Sequence, residues 1–203
     1  MQAIKLTQYL IITLALTTLT ACVNIHGNDQ VKTGPALYDF GLLADSAFTV
    51  ETSLSIEPIN AVDALNNNRI RYRLNYQNPA QVFTYNESRW VSPPAQLLNH
   101  VVRTQVITKT GSAQNCSLKL QVESFDHVFT SPTESQGIVQ ISAVLVAKKS
   151  HKLISNTVIN QSSLATSPDA KGGSAALQTA SYSALQKALD WGNTTAANSV
   201  ECQ

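Results

Sequence analysis

The tightest constraint on this chain is the strict alternation of Arg69-Ile70-Arg71-Tyr72-Arg73-Leu74-Asn75-Tyr76. A β-strand sends successive side chains to opposite faces, so Ile70, Tyr72, Leu74 and Tyr76 share one face and the three arginines the other. Asn66-Asn67-Asn68 turns the chain into this strand and Asn78-Pro79 turns it out, so Val82 to Tyr85 is predicted to pair back as a hairpin. The apolar face needs a second layer to cover it, and the rest of the chain must supply that layer.

The remaining elements follow from pattern. Leu37-Tyr38-Asp39-Phe40 reads as a short strand ending at Gly41, and the region from Phe48 to Ile59 as a strand closed by Pro58. Ser92-Pro93-Pro94 reads as a helix start with Ser92 as cap. Leu97, Leu98, Val101, Val102 and Val106 follow at helical spacing, predicting a helix over 93–107 that ends before Gly111. Two long strands are expected next, Cys116 to Phe129 and Ile138 to Lys148, then one from Leu153 to Asn160. A last helix is predicted from Ser174, with Leu177, Ala180, Ala184, Leu185, Ala188 and Leu189 in one stripe and Trp191-Gly192 closing it. The expected class is α+β: a mostly antiparallel sheet of five or six strands with two helices packed on one face.

The N-terminus sets the expected compartment. Lys5 precedes an apolar stretch from Tyr9 to Leu19, the length of a signal-peptide core and shorter than the ~20 residues that span a bilayer. It ends in Leu19-Thr20-Ala21-Cys22, which resembles the bacterial lipobox; that resemblance implies a cleaved signal over 1–21 and a diacylglyceryl thioether on Cys22. The alternative is an ordinary secretory signal with a chance cysteine at its boundary. Val23 follows the cysteine; by resemblance to enterobacterial lipoproteins, where Asp at that position retains the protein at the inner membrane, Val23 implies sorting to the outer membrane, facing the periplasm. Residues 22–36 are polar and aperiodic and read as a tether; 37–203 is expected to be one folded domain.

The chain has three cysteines. With Cys22 taken by lipid, Cys116 and Cys202 remain as an even pair in an oxidising compartment, and a disulfide between them would close a loop of about 86 residues. Two free thiols are the alternative.

Charge and motif content exclude other classes. Lys+Arg total 14 against 13 Asp+Glu, so the cationic surplus that nucleic-acid binding needs is missing. Hydrophobic residues at 43%, with only 8 Gly and 7 Pro, rule out disordered and fibrous chains. Lys171-Gly172-Gly173-Ser174 has the letters of a P-loop without its spacing, and HExxH and GxSxG are absent. The expectation is a non-enzyme with no cofactor and no metal. Asp126-His127 is the sole carboxylate–imidazole neighbour pair, and alternation points the two to opposite faces as solvated strand-end residues. Arg69, Arg71 and Arg73 form the densest cationic feature: a solvent-facing strand side that discourages edge pairing, or a face toward lipid headgroups or an acidic partner.

The ordered motifs resemble those of the ABC-type transport auxiliary lipoproteins, the PqiC-like group. Tyr38-Asp39-Phe40-Gly41, Ile56-Glu57-Pro58 and Ile70-Arg71-Tyr72-Arg73 are followed by a block in which Tyr85, Trp90, Pro94, Leu97 and Leu98 match Tyr-x-x-x-x-Trp-x-x-x-Pro-x-x-Leu-Leu. An Ala-rich C-terminal helix ending in Trp191 is also similar. The resemblance implies a lipoprotein subunit that docks an MCE-domain protein and its inner-membrane ABC and permease partners during lipid transport. It leaves homo-oligomerisation open. Within it, Tyr38, Tyr72, Trp90, Pro94, Leu97 and Leu98 are expected to be structural, Trp90 as an apolar peg that fixes the first helix against the sheet. The competing reading is an outer-membrane lipoprotein that regulates a cell-wall synthesis enzyme.

Overall fold

The computed structural model describes residues 34–41, 50–52, 54–108 and 115–203, and its main compact unit is Pro35–Gln203. The proposed signal, Cys22, most of the tether, Phe48 and Gly111 lie outside the described residues.

One long strand, β8 (Cys116–Phe129), templates the sheet. Leu118, Leu120 and Val122 point into the core from its first half, and Phe125 and His127 from its second. The change of parity is a β-bulge: Val122 faces Ile141 and Ser124 faces Gln140, leaving Glu123 as the extra residue. Beside it, β9 (Ser135–Ala147) pairs antiparallel and alternates buried and half-buried residues along its whole length, as a strand covered on one face should. The edge strand β10 (Leu153–Leu164) pairs antiparallel with β9 and runs four residues past the predicted end.

On the other flank of β8 lies β5 (Arg69–Leu74), then β6 (Phe83–Trp90), then β1 (Ala36–Tyr38) at the far edge. β3 (Ser55–Ile56) and β4 (Asn60–Ala61) pair with the first half of β8. The expected 48–59 strand is therefore broken. Its first part, β2 (Val50–Thr52), pairs with β7 (Val106–Thr108) in a separate two-stranded sheet.

The α+β class holds, but the main sheet is eight-stranded and mixed rather than five or six mostly antiparallel strands. β5 forms its hairpin with β6 as expected, yet it runs parallel to β8, as do β3 and β4. Alternation reports which face a residue takes, whereas strand direction depends on the path of the connection. Here that path passes through β6 and a helix before β8 begins, a crossover that permits parallel pairing.

Helix α1 (Pro94–Gln105) follows β6 directly. Pro93 rather than Ser92 occupies its cap position, without a side-chain cap bond, and the Pro93 carbonyl accepts from Gln96 and Leu97. Val106 leaves the helix to begin β7. Helix α2 (Ala170–Ala197) is longer than predicted at both ends. It starts at Asp169, whose carboxylate accepts from the Gly172 amide at 2.8 Å, and it continues through Gly192. Gly192 is not a stop: a Cβ there would come within 2.9 Å of Leu54 and 3.3 Å of Leu118, so the glycine lets the helix lie close to the sheet. Buried residues of both helices join Leu118, Phe125, Ile141 and Leu145 in one core. Among the described residues no helix is long and apolar enough to cross a membrane.

Candidate functional site

The motif residues divide between two aromatic clusters. The first surrounds Trp90, which is wholly buried at the end of β6. Its ring meets Phe40 edge-on at 6.0 Å and Phe125 at 5.6 Å between centroids, geometries that favour contact between ring edge and ring face. Its backbone is held from both sides: the Trp90 amide donates to the Asn68 carbonyl, and the next amide, Val91, donates to the Tyr38 carbonyl, each at 2.8 Å. Pro94, Leu97 and Leu98 are buried on α1, four to eight residues later in sequence. The Trp90 block thus leads β6, paired between β1 and β5, into a helix whose apolar side is already in the core. Tyr38 packs against this core while half-buried.

Asn99 completes the anchorage of α1. Its side chain accepts from the Ile59 amide and donates to the Ile59 carbonyl, both at 2.9 Å, the pattern of a neighbouring strand. A polar position on a predicted helix reads as exposed, so pattern alone does not single out Asn99.

The second cluster lies further along the sheet. Tyr72 on β5 stacks on Phe83 at 5.2 Å and lies 4.7 Å from the Tyr85 ring. The Tyr85 hydroxyl meets His127 Nδ1 at 2.8 Å. His127 is wholly buried, and the first turns of α2 lie on its ring: a Cβ on Gly173 would collide with Nδ1, Cγ and Cε1. Its Nε2 has no hydrogen-bond partner among the described residues. Burial pushes the imidazole pKa down to about 4, opposed by the nearby Asp169 carboxylate. Burial, with Tyr72 and Asp169 adding to it, pushes the Tyr85 hydroxyl pKa well above the usual phenol value. At neutral pH His127 is therefore a neutral ring in a hydrogen bond with a neutral phenol.

Asp126 points to the opposite face, as alternation predicts, but it is not solvated. Only 4% of its side chain is exposed, and it holds two guanidiniums: Arg71 Nε lies 2.8 Å from Oδ1 and Arg73 Nε 2.8 Å from Oδ2. The Arg71 contact is an ion pair off the ideal hydrogen-bond line, supported by Nη2 at 3.4 Å from Oδ2. The expectations of solvated strand-end residues at 126–127 and of a freely solvent-facing arginine row are both corrected. Parallel pairing of β5 with β8, which sets Arg71 opposite Asp126, makes the contact, and that register is invisible in either segment alone. Asp126 and His127 diverge across the strand and form no dyad.

Cys116 and Cys202 are joined by a disulfide, with Cα atoms 5.1 Å apart. It pins the C-terminal 3-10 turn (Val200–Cys202) to the start of β8, where Asn115 also donates to the Gln203 carbonyl at 2.8 Å. Among the described residues no three His, Cys, Asp or Glu side chains gather as a metal site.

No family model matches this sequence, and no curated protein matches it. Solved structures do share its fold. A Xanthomonas campestris protein described under the DUF330 family superposes with a TM-score of 0.61 at 16% identity, covering 82% of this chain and 95% of that one. A second crystal structure, of an uncharacterized protein, gives a TM-score of 0.56 at 15% identity over 78% of this chain and 99% of that one. At those identities the likeness is one of fold: this chain and the DUF330 protein share an α+β architecture over nearly the whole of the latter.

Proposed function

We propose that this protein is an outer-membrane lipoprotein, acylated at Cys22, that serves as a non-enzymatic docking subunit of an ABC/MCE-type intermembrane lipid transport system. The observation that carries the reading is the shared fold with the DUF330 protein over 95% of that chain. The ordered motifs from Tyr38 to Leu98, which resemble the transport auxiliary lipoproteins, give that fold its meaning. Their placement is consistent with the role. The motif residues Trp90, Pro94, Leu97 and Leu98 are core, so they shape a scaffold rather than a reaction centre. The single carboxylate–imidazole neighbour pair is split, Asp126 to two arginines and His127 to Tyr85.

Affinity purification of the full-length protein from native membranes tests this directly. The reading expects an MCE-domain protein and its ABC partners to co-purify. Recovery of a cell-wall synthesis enzyme in their place would transfer the protein to the regulator class. Replacing Cys22 with Ser should release the protein from the membrane fraction; firm retention would remove the lipid anchor from the reading.

A further inference from the structure

The face of the sheet opposite the helices carries a pocket of about 290 Å³ lined by Ala64, Asn67, Arg69, Arg71, Val82 and Thr84. Its chemistry is one-sided. Arg69, Arg71 and Arg73 rise from one strand, and among the described residues Asp126 is the one carboxylate that pairs with Arg71 and Arg73. The Arg69 side chain has no ion pair or hydrogen bond among the described residues. The neighbouring acid, Asp63, lies outside the lining and accepts from Asn66 at 3.4 Å.

The buried carboxylate does more than neutralise one charge. It fixes the Arg71 guanidinium by contacts to both of its oxygens, and Arg73 is fixed by Asp126 together with the Pro79 carbonyl, 3.1 Å from its Nη1. Arg71 lines the pocket with 13% of its side chain exposed, while its Nε and Nη2 are engaged by Asp126. Asn67 is held too, accepting from the Arg69 amide at 3.0 Å and donating to the Ala64 carbonyl at 3.1 Å. The pocket lining holds two guanidiniums, Arg69 and Arg71, and no carboxylate; the Asp126 carboxylate is shared between Arg71 and Arg73. Planar forks match the oxygens of a tetrahedral anion, and a phosphate carries about −1.5 to −2 at neutral pH.

We infer that this pocket binds a phosphate group, held between the Arg69 and Arg71 guanidiniums with Thr84 beside them. Ala64 and Val82 provide an apolar wall for the carbon chain that bears it. The phosphate belongs either to a lipid headgroup or to a soluble phosphate compound. The inference stands on this geometry and does not depend on the docking role proposed above.

Titration calorimetry on the full-length protein in an uncharged detergent at low salt tests it, with three probes: inorganic phosphate, glycerol 3-phosphate and dioctanoyl phosphatidylglycerol. Saturable binding of at least one probe is expected. A lipid probe about tenfold tighter than the soluble ones assigns the site to headgroups; equal or tighter soluble binding assigns it to free phosphate compounds. Arg69→Gln, at an exposed position, should weaken binding about tenfold or more without shifting the melting temperature. Arg71→Lys, which keeps the charge but loses the fork, should weaken it as well. No saturable binding of any probe up to about 10 mM, or affinity unmoved by Arg69→Gln, would overturn the assignment.

Discussion

Gly173 and His127 are in mutual contact only because one of them lacks a side chain: the first turns of α2 lie against the imidazole of β8 at a separation no Cβ could share. The hydroxyl of Tyr85 takes Nδ1 on the same ring. Helix, long strand and hairpin therefore meet at one neutral, buried histidine.

That histidine should make the protein acid-sensitive. Its pKa is about 4 when folded against 6.5 when exposed, so below pH 6.5 the unfolded chain takes up a proton that the folded chain refuses. Stability should be full above about pH 6.5 and fall progressively to about pH 4, by roughly 2–3 kcal/mol. Asp169, whose pKa is lowered chiefly by the Gly172 amide, adds its own loss only at still lower pH. Urea melts across pH 4–8 should show the slope, and His127→Phe should flatten it between pH 6.5 and 4. An unchanged slope in that variant would locate the proton elsewhere.

Gly173→Ala should cost about 1–3 kcal/mol, because the added methyl must displace either the ring or the helix. Combined with His127→Ala, the same change should cost markedly less than the sum of the single effects. A double-mutant cycle by chemical denaturation measures that coupling, and strict additivity would contradict the contact.

Trp90→Ala is expected to lose about 3–5 kcal/mol, since the ring is wholly buried between Phe40 and Phe125. The helix that follows should loosen with it. Hydrogen exchange of the α1 amides ought to accelerate more than that of β9, and uniform acceleration would argue against a local pegging role.

Breaking the Asp126 pair by substitution to Ala should cost about 3–5 kcal/mol, because Arg71 and Arg73 would then face each other without a counter-charge. Asp126→Ala with Arg71→Met should recover part of that loss. Thermal melts at low and high salt give the check, and a loss under about 1 kcal/mol would mean the pair is solvated in solution.

The disulfide closes a sequence separation of 86 residues, so replacing Cys116 and Cys202 with Ser should lower stability by about 2–5 kcal/mol. In the native protein both thiols should resist alkylation until reductant is added. Ready labelling without reductant would exclude the bond.

Much of this architecture is written locally. Strict alternation over Arg69–Leu74 places Ile70 in the core, the Leu177–Leu189 stripe makes a helix, and prolines 93 and 94 begin another. The expected pairing of Cys116 with Cys202, reached by reserving Cys22 for lipid in an oxidising compartment, matches the disulfide of the structure. Period and turn chemistry act over a few residues, so a single segment suffices to reveal them.

What only the tertiary structure decided lies between segments. That Arg71 and Arg73 close on Asp126 follows from β5 running parallel to β8 in one register, and that His127 faces Tyr85 follows from the bulge at Glu123, which reverses the parity of β8 midway. Gly192 reads as the close of the last helix, and Gly172 and Gly173 precede its predicted start at Ser174, yet all three lie inside α2. The physical reason is common to these cases. A side chain's partner, and the space left for it, are set by backbone from distant parts of the chain, and local pattern carries the face a residue takes but not what comes to meet it.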